Sequence, residues 1–219
     1  IIPCISIMNS TEIENGVKHI YDNDPALAQI IDAAGVCTIR RKKDYYHAML
    51  RSIIGQQLSV KAGDAIERKF FLFFKNDPSP EHIIAVEDIQ IRELGLSWAK
   101  VKYVKDLSEK ILSGTVHFKG LNKKSDEQII DELTLIKGVG IWTVHMFLMF
   151  TLCRLNVLPV SDLGIRKAVM NLYNLKKMPD EKKINTISKK NNWAPYNTIA
   201  SWYLWRSLDM KLNIKNQNL

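Results

Sequence analysis

The sequence predicts an all-α protein. Apolar residues recur at helical spacing along almost its whole length, and no window alternates convincingly as a strand would. Pro3, Pro25, Pro78, Pro80, Pro159, Pro179 and Pro195 fall at or near the ends of the periodic segments, where helices start or stop. In chain order the spacing marks helices near residues 12–21, 25–34, 44–54, 59–75, 80–86 and 98–113. It continues with 126–136, 140–152, 163–173, 180–191 and 196–208. Pro25 and Pro80 stand at the first positions of their segments, and Pro159, Pro179 and Pro195 shortly precede the last three. Ser125 to Gln128, "SDEQ", is a capping box that starts helix 126–136. The tail "KLNIKNQNL" is polar and expected to fray, and no repeat or low-complexity run interrupts the chain.

The chain has 219 residues, enough for one large domain or two small lobes around a shared cleft. With 46% hydrophobic and 25% charged residues it reads as a soluble globular protein. Lys and Arg number 31 against 23 Asp and Glu, a net charge of +8. That surplus favours a polyanionic partner, nucleic acid first and an acidic membrane surface second. Cys4, Cys37 and Cys153 are odd in number, far apart and form no CxxC pair. The spacing argues against a disulfide framework, a zinc site and an iron–sulfur loop, and reduced thiols fit a cytosolic or nuclear compartment. The apolar opening "IIPCISIM" is too short to span a bilayer and lacks a basic leader. The chain opens on Ile1 rather than Met, which leaves a trimmed N-terminus open.

Two glycines join helices 126–136 and 140–152 in "LIKGVGIWTV". Gly138 and Gly140 are expected to supply positive φ and close approach, with Val139 plugging the core between them. The second helix then starts with unpaired N–H groups and the positive end of its dipole, which suits a phosphate. An ordinary αα-corner needs the same glycines. A dinucleotide fingerprint is excluded, because no strand precedes the glycines and Thr143 stands where the last one would be. Asp162 lies at a predicted helix N-terminus after a proline turn, where an aspartate commonly caps. A capped carboxylate is also held rigidly, as catalysis requires. The basic run "IRRKK" at 39–43 reads as a solvated linker, and Arg51, His47, His117 and His145 have no ligand spacing.

The longer string 133–169 resembles the helix-hairpin-helix DNA glycosylases, and most closely the 3-methyladenine DNA glycosylase II branch. That branch carries a GxGxWTA hairpin, a helix, a short loop and a PxDDLGxRK-like segment. Here these are Gly138-Val139-Gly140-Ile141-Trp142-Thr143 and Pro159 to Lys167. "RSIIGQQLSVKAG" (51–63) is similar to the segment that enters the DNA gap, and "WAPYNTIASWYLWRSL" (193–208) to the closing helix. The resemblance runs from about Tyr46 to Leu208.

It implies two helical lobes with the active site in the cleft between them, residues 42–154 carrying the hairpin and residues 1–41 packing with 155–219. No counterpart of the extra N-terminal β-rich domain of longer bacterial relatives is expected. It also implies base excision repair of double-stranded DNA: hydrolysis of the N-glycosidic bond of alkylated purines such as 3-methyladenine and 7-methylguanine after the base is flipped out. Asp162 is the expected catalytic carboxylate, the second acid of the family's pair, with Ser161 in place of the first. Trp142 and Trp205 are expected to line the base pocket, with Met146 one turn after Trp142 where some relatives have tyrosine. Trp193 and Trp202 are assigned to the core. Gly138, Val139, Gly140 and Thr143 would meet the DNA backbone, and Gln57 or Leu58 would fill the gap in the base stack.

Bifunctional relatives carry a Schiff-base lysine just after the GxGx run. Trp142 holds that position and cannot act as an amine nucleophile, so base removal without strand cleavage is expected. No cofactor or metal, no membrane and a monomer are expected, in a nucleus or a bacterial cytoplasm at the nucleoid. A bifunctional glycosylase for oxidised bases and a non-catalytic helix-hairpin-helix DNA-binding module are the alternatives. A binding module has no use for a carboxylate beside a polyanion.

Overall fold

A computed structural model describes residues 10–210. Pro3, Cys4, the apolar opening and the polar tail lie outside the described residues. Those residues form twelve α-helices and one 3-10 turn, with no β-strand among them. In order they are α1 (Ser10–Asn23), α2 (Pro25–Ala34), α3 (Tyr45–Gly55), α4 (Val60–Phe73), α5 (Pro80–Ala85) and α6 (Asp88–Glu93). Then come α7 (Trp98–Leu112), the 3-10 turn Leu121–Lys123, α8 (Asp126–Leu133) and α9 (Ile141–Phe150). α10 (Leu163–Leu172), α11 (Glu181–Lys190) and α12 (Asn197–Asp209) complete the set.

Short polar side chains start most of these helices. Ser59, Ser79, Ser97 and Ser125 accept a backbone N–H three residues on, and Asp24, Asp44, Asp162 and Asp180 do the same with a carboxylate. The box at Ser125–Gln128 closes in both directions. α6 is the one helix without a counterpart in the sequence reading. It is six residues long and starts from a Glu87/Gln90 box, with neither proline nor a small polar cap to announce it. α9 stops two residues earlier than the periodicity suggested. Arg154 N–H turns back to Leu148 O at 2.9 Å, and Cys153 takes a left-handed φ of 55° that ends the helix.

The chain divides into two compact units, Ile1–Arg41 with Leu148–Leu219, and Lys42–Phe147. The division falls within α9 rather than after residue 154 as expected from the sequence. The reason is local packing. Cys153 and Leu155 join the core formed by Ile20, Ile165, Trp193 and Tyr203. Thr198 ties them there, donating from N to Leu155 O at 3.0 Å and from its hydroxyl to Arg154 O at 2.6 Å. A second anchor of this unit is Asp24, only 1% exposed. It accepts from the amides of Ala26 and Leu27, from Trp193 Nε1 at 2.7 Å and from the Tyr173 hydroxyl. Trp193 is therefore core, as assigned, and Trp202 packs against that core beside Tyr203.

The other unit packs α3 to α8 and the start of α9 around Ile53, Phe70, Val104, Leu133, Val139 and Phe147. Each fully buried side chain of this size contributes about 1.5–3 kcal/mol.

Candidate active site

Asp162 sits at the N-cap of α10 with extended backbone. Its Oδ1 accepts two hydrogen bonds, from Ile165 N at 2.7 Å and from Trp205 Nε1 at 2.9 Å. Hydrogen bonds to an ionised acceptor are the strong kind, and two on one oxygen leave the carboxylate little freedom to rotate. Gly164 makes the arrangement possible. A Cβ there would stand 3.0 Å from Asp162 Oδ1 and 3.0 Å from Trp205 Nε1. Trp205 is half-buried, with the Phe150 ring 5.8 Å away between centroids at 40°. Trp205 was expected as a wall for the base; in the structure its indole N–H is bonded to Asp162.

The hairpin and its neighbours belong to the other unit. After α8, Val139 N–H closes onto Ile136 O at 3.0 Å, and the Val139 side chain, 4% exposed, plugs the core. Gly138 has φ of 77°, and a Cβ there would lie 2.2 Å from Tyr103 Cδ2, so glycine is required twice over. Gly140 corrects the sequence reading. It is not among the positive-φ residues, and a Cβ there would meet nothing within 4 Å. The protein's own packing makes no demand for glycine at 140, so the open space is available for close approach from outside. The first intrahelical bond of α9 is Val144 N–H to Gly140 O at 3.1 Å, so the amides from Gly140 to Thr143 precede the ladder.

Thr143 was expected to meet the DNA backbone; its side chain is buried, with its hydroxyl 3.5 Å from Gln56 Nε2, which leaves its backbone amide for that contact. Trp142 is 45% exposed and Met146 half-buried, four residues apart on one face of α9.

Gln56, which the sequence reading passed over, donates from Nε2 to Gly138 O at 2.9 Å. It thereby joins the hairpin to the turn that follows α3, where Gln57 is exposed with a left-handed φ of 56° and Leu58 is 38% exposed. Gln56 stands directly beside the two residues read as the gap filler, and that adjacency was the only available signal. Lys137 anchors the hairpin from below. Its N–H donates to Asp106 Oδ2 at 2.8 Å and its Nζ lies 3.2 Å from Asp106 Oδ1. Burial pushes the Asp106 carboxyl up, but the hydrogen bonds from Lys137 and Lys110 outweigh it and hold the group below its ordinary range.

The basic residues Arg40 to Lys43 are exposed. Arg51 pairs with Glu67 at 2.8 Å over the Phe71 ring, and His47 with Asp44, as structural roles require. Desolvation holds His145 below its usual pKa, and its buried Nδ1 has no hydrogen-bond partner. Among the described residues no three His, Cys, Asp or Glu side chains gather as a metal site. Among the same residues no helix is long and apolar enough to cross a membrane.

Comparison with known proteins gives this geometry a context. A family model described as "HhH-GPD superfamily base excision DNA repair protein" matches residues 50–193. DNA-3-methyladenine glycosylase 1 of Schizosaccharomyces pombe is 37% identical over 204 residues, spanning 92% of this chain and 89% of the relative. The structure of a 3-methyladenine DNA glycosylase from the same yeast in complex with abasic DNA superposes with a TM-score of 0.80 at 32% identity, covering 89% of this chain and 97% of that one. A DNA-3-methyladenine glycosidase structure from Bacillus halodurans gives a TM-score of 0.76 at 36% identity, with 88% of each chain covered.

Proposed function

The chain belongs to the HhH-GPD superfamily of base excision DNA repair proteins, and from that premise we infer that it is a DNA-3-methyladenine glycosylase acting on alkylated bases. The observation that carries the mechanism is the double hydrogen bond on Asp162 Oδ1.

Hydrolysis of an N-glycosidic bond passes through a sugar with oxocarbenium character, short of electrons at C1′. A fixed carboxylate beside that centre stabilises the positive charge as it develops and orients or deprotonates the attacking water. Asp162, held by Ile165 and Trp205, has the rigidity for this work. The duplex backbone would be gripped by the amides at the start of α9, with Gly140 giving a phosphate room to approach. Gln57 or Leu58 would fill the space the extruded base leaves.

3-Methyladenine and 7-methylguanine carry positive charge on the base. An exposed indole such as Trp142, with Met146 beside it, would attract such a ring at about 0.5–2 kcal/mol per good contact. The cationic base is already an activated leaving group, so a soft aromatic surface and one carboxylate suffice. Trp142 at the position of the bifunctional enzymes' lysine supports base removal without strand cleavage. The enzyme would act as a monomer on double-stranded DNA, in a nucleus or at a bacterial nucleoid.

The test is release of 3-methyladenine from methylated duplex DNA, with the strands examined before and after alkali. Release with breaks only after alkali supports this reading. Breaks without alkali would reveal an amine nucleophile and favour the bifunctional alternative. Binding to DNA without release would favour the binding module.

A further inference from the structure

One side of α7 organises both loops that this function would use. Lys100, Tyr103 and Asp106 recur at spacing three and so share that side. Asp106 accepts the Lys137 N–H at 2.8 Å and the Tyr103 ring occupies the space above Gly138. Lys100 turns to the other loop. Its Nζ donates to Ile54 O at 2.8 Å and to Gln56 O at 2.6 Å. Gln56 Nε2 then reaches Gly138 O at 2.9 Å and completes a circuit from α7 through the turn after α3 to the hairpin and back.

The carbonyls at the end of α3 have no partner within the helix, and a cation is favourable at that end of its dipole. A simple cap would stop there. Lys100 goes on to Gln56 O, inside the turn and immediately before Gln57. Gln57 is a left-handed non-glycine residue, a strained conformation that persists only where the surroundings enforce it. The ammonium is half-buried, two of its three donors are committed to carbonyls, and desolvation holds its pKa below the ordinary lysine range. It is thus poorly suited to gripping phosphate and well suited to fixing backbone.

We propose that Lys100 is a positioning residue for damage recognition: it locks the turn after α3 so that Gln57 and Leu58 are presented, in register with the hairpin, to the gap left by an extruded base. The proposal rests on the reading of the chain as a protein that binds damaged duplex DNA.

The experiment compares binding to a duplex carrying a tetrahydrofuran abasic analogue with binding to the same undamaged duplex, across a salt series. Lys100→Met keeps the aliphatic stem and removes the donors; Lys100→Arg keeps donors. The preference for the abasic duplex is expected to fall about tenfold in Lys100→Met and to be largely kept in Lys100→Arg. Affinity for undamaged duplex should stay within about twofold, and the salt slope should not change. A background lacking the gap filler, Gln57→Ala with Leu58→Ala, should make Lys100→Met nearly silent, since residues acting as one unit are not additive. Equal loss on both duplexes, a salt slope smaller by about one as for a lost phosphate contact, or an additive effect in that background would overturn the proposal. Wild-type protein that binds both duplexes equally would overturn the functional reading and this proposal with it, whereas a wild-type preference that Lys100→Met leaves intact would overturn the proposal alone.

Discussion

The indole N–H of Trp205 donates to Asp162 Oδ1 at 2.9 Å, on the same oxygen that takes the Ile165 N–H at 2.7 Å. Trp205→Phe keeps a flat apolar side chain, smaller than the indole, and deletes that donor. The single-turnover rate of base release should fall about tenfold, equivalent to about 1.4 kcal/mol. The melting temperature should move by no more than about 4 °C. An unchanged rate would remove Trp205 from the positioning of Asp162.

The two hairpin glycines should part company. Gly138→Ala forces a Cβ to within 2.2 Å of the Tyr103 ring at φ of 77°, so it should destabilise by more than about 2 kcal/mol in urea titration. Gly140→Ala meets nothing within 4 Å and should change stability by less than about 0.5 kcal/mol. Its effect should appear in DNA affinity instead. Loss of stability at Gly140 with unchanged binding would refute the assignment of that space to the DNA backbone.

These residues also mark how far sequence could reach. Asp162, Trp205 and the hairpin stood out through the resemblance of the motifs around them; on residue type alone Asp162 reads as a helix cap, and the structure shows that cap. Positive φ was read correctly at Gly138 and wrongly at Gly140, and only coordinates reveal that Tyr103 lies over one and open space over the other. Gln56 and Lys100 act on carbonyls 82 and 44 to 46 positions away. Trp193 bonds to Asp24 across 169 residues. Pairings of that span leave no periodic trace, and a lysine on an amphipathic helix looks the same whether it faces solvent or a buried carbonyl.

Asp24 concentrates much of this long-range bonding. Asp24→Ala removes the cap of α2 and leaves Trp193 Nε1 and the Tyr173 hydroxyl without their acceptor. The cost should be about 3–5 kcal/mol by denaturant unfolding, the sum of a lost cap and two stranded buried donors. A change below about 1 kcal/mol would mean that the unit relaxes around the loss.

Acid should weaken the hairpin's anchor. The Asp106 carboxyl is held below its ordinary 3.8 in the folded protein, so its contribution is fully present above that value. It is lost as pH falls below 3.8 and through the folded-state value. Urea midpoints of wild type and Asp106→Asn should therefore differ at pH 7 and converge as pH drops below about 4. A gap that stays constant with pH would show that ionisation of Asp106 is immaterial.

The most direct test of the whole account is Asp162→Asn. Asparagine caps a helix about as well as aspartate and its oxygen can still accept from Trp205 and Ile165. The substitution thus removes charge while sparing structure. With binding to an abasic-analogue duplex measured on the same samples, single-turnover release of 3-methyladenine should fall by roughly 10²–10³ while binding is retained. Release at close to the wild-type rate by a folded Asp162→Asn protein would contradict the role of Asp162 as the carboxylate that stabilises the sugar cation.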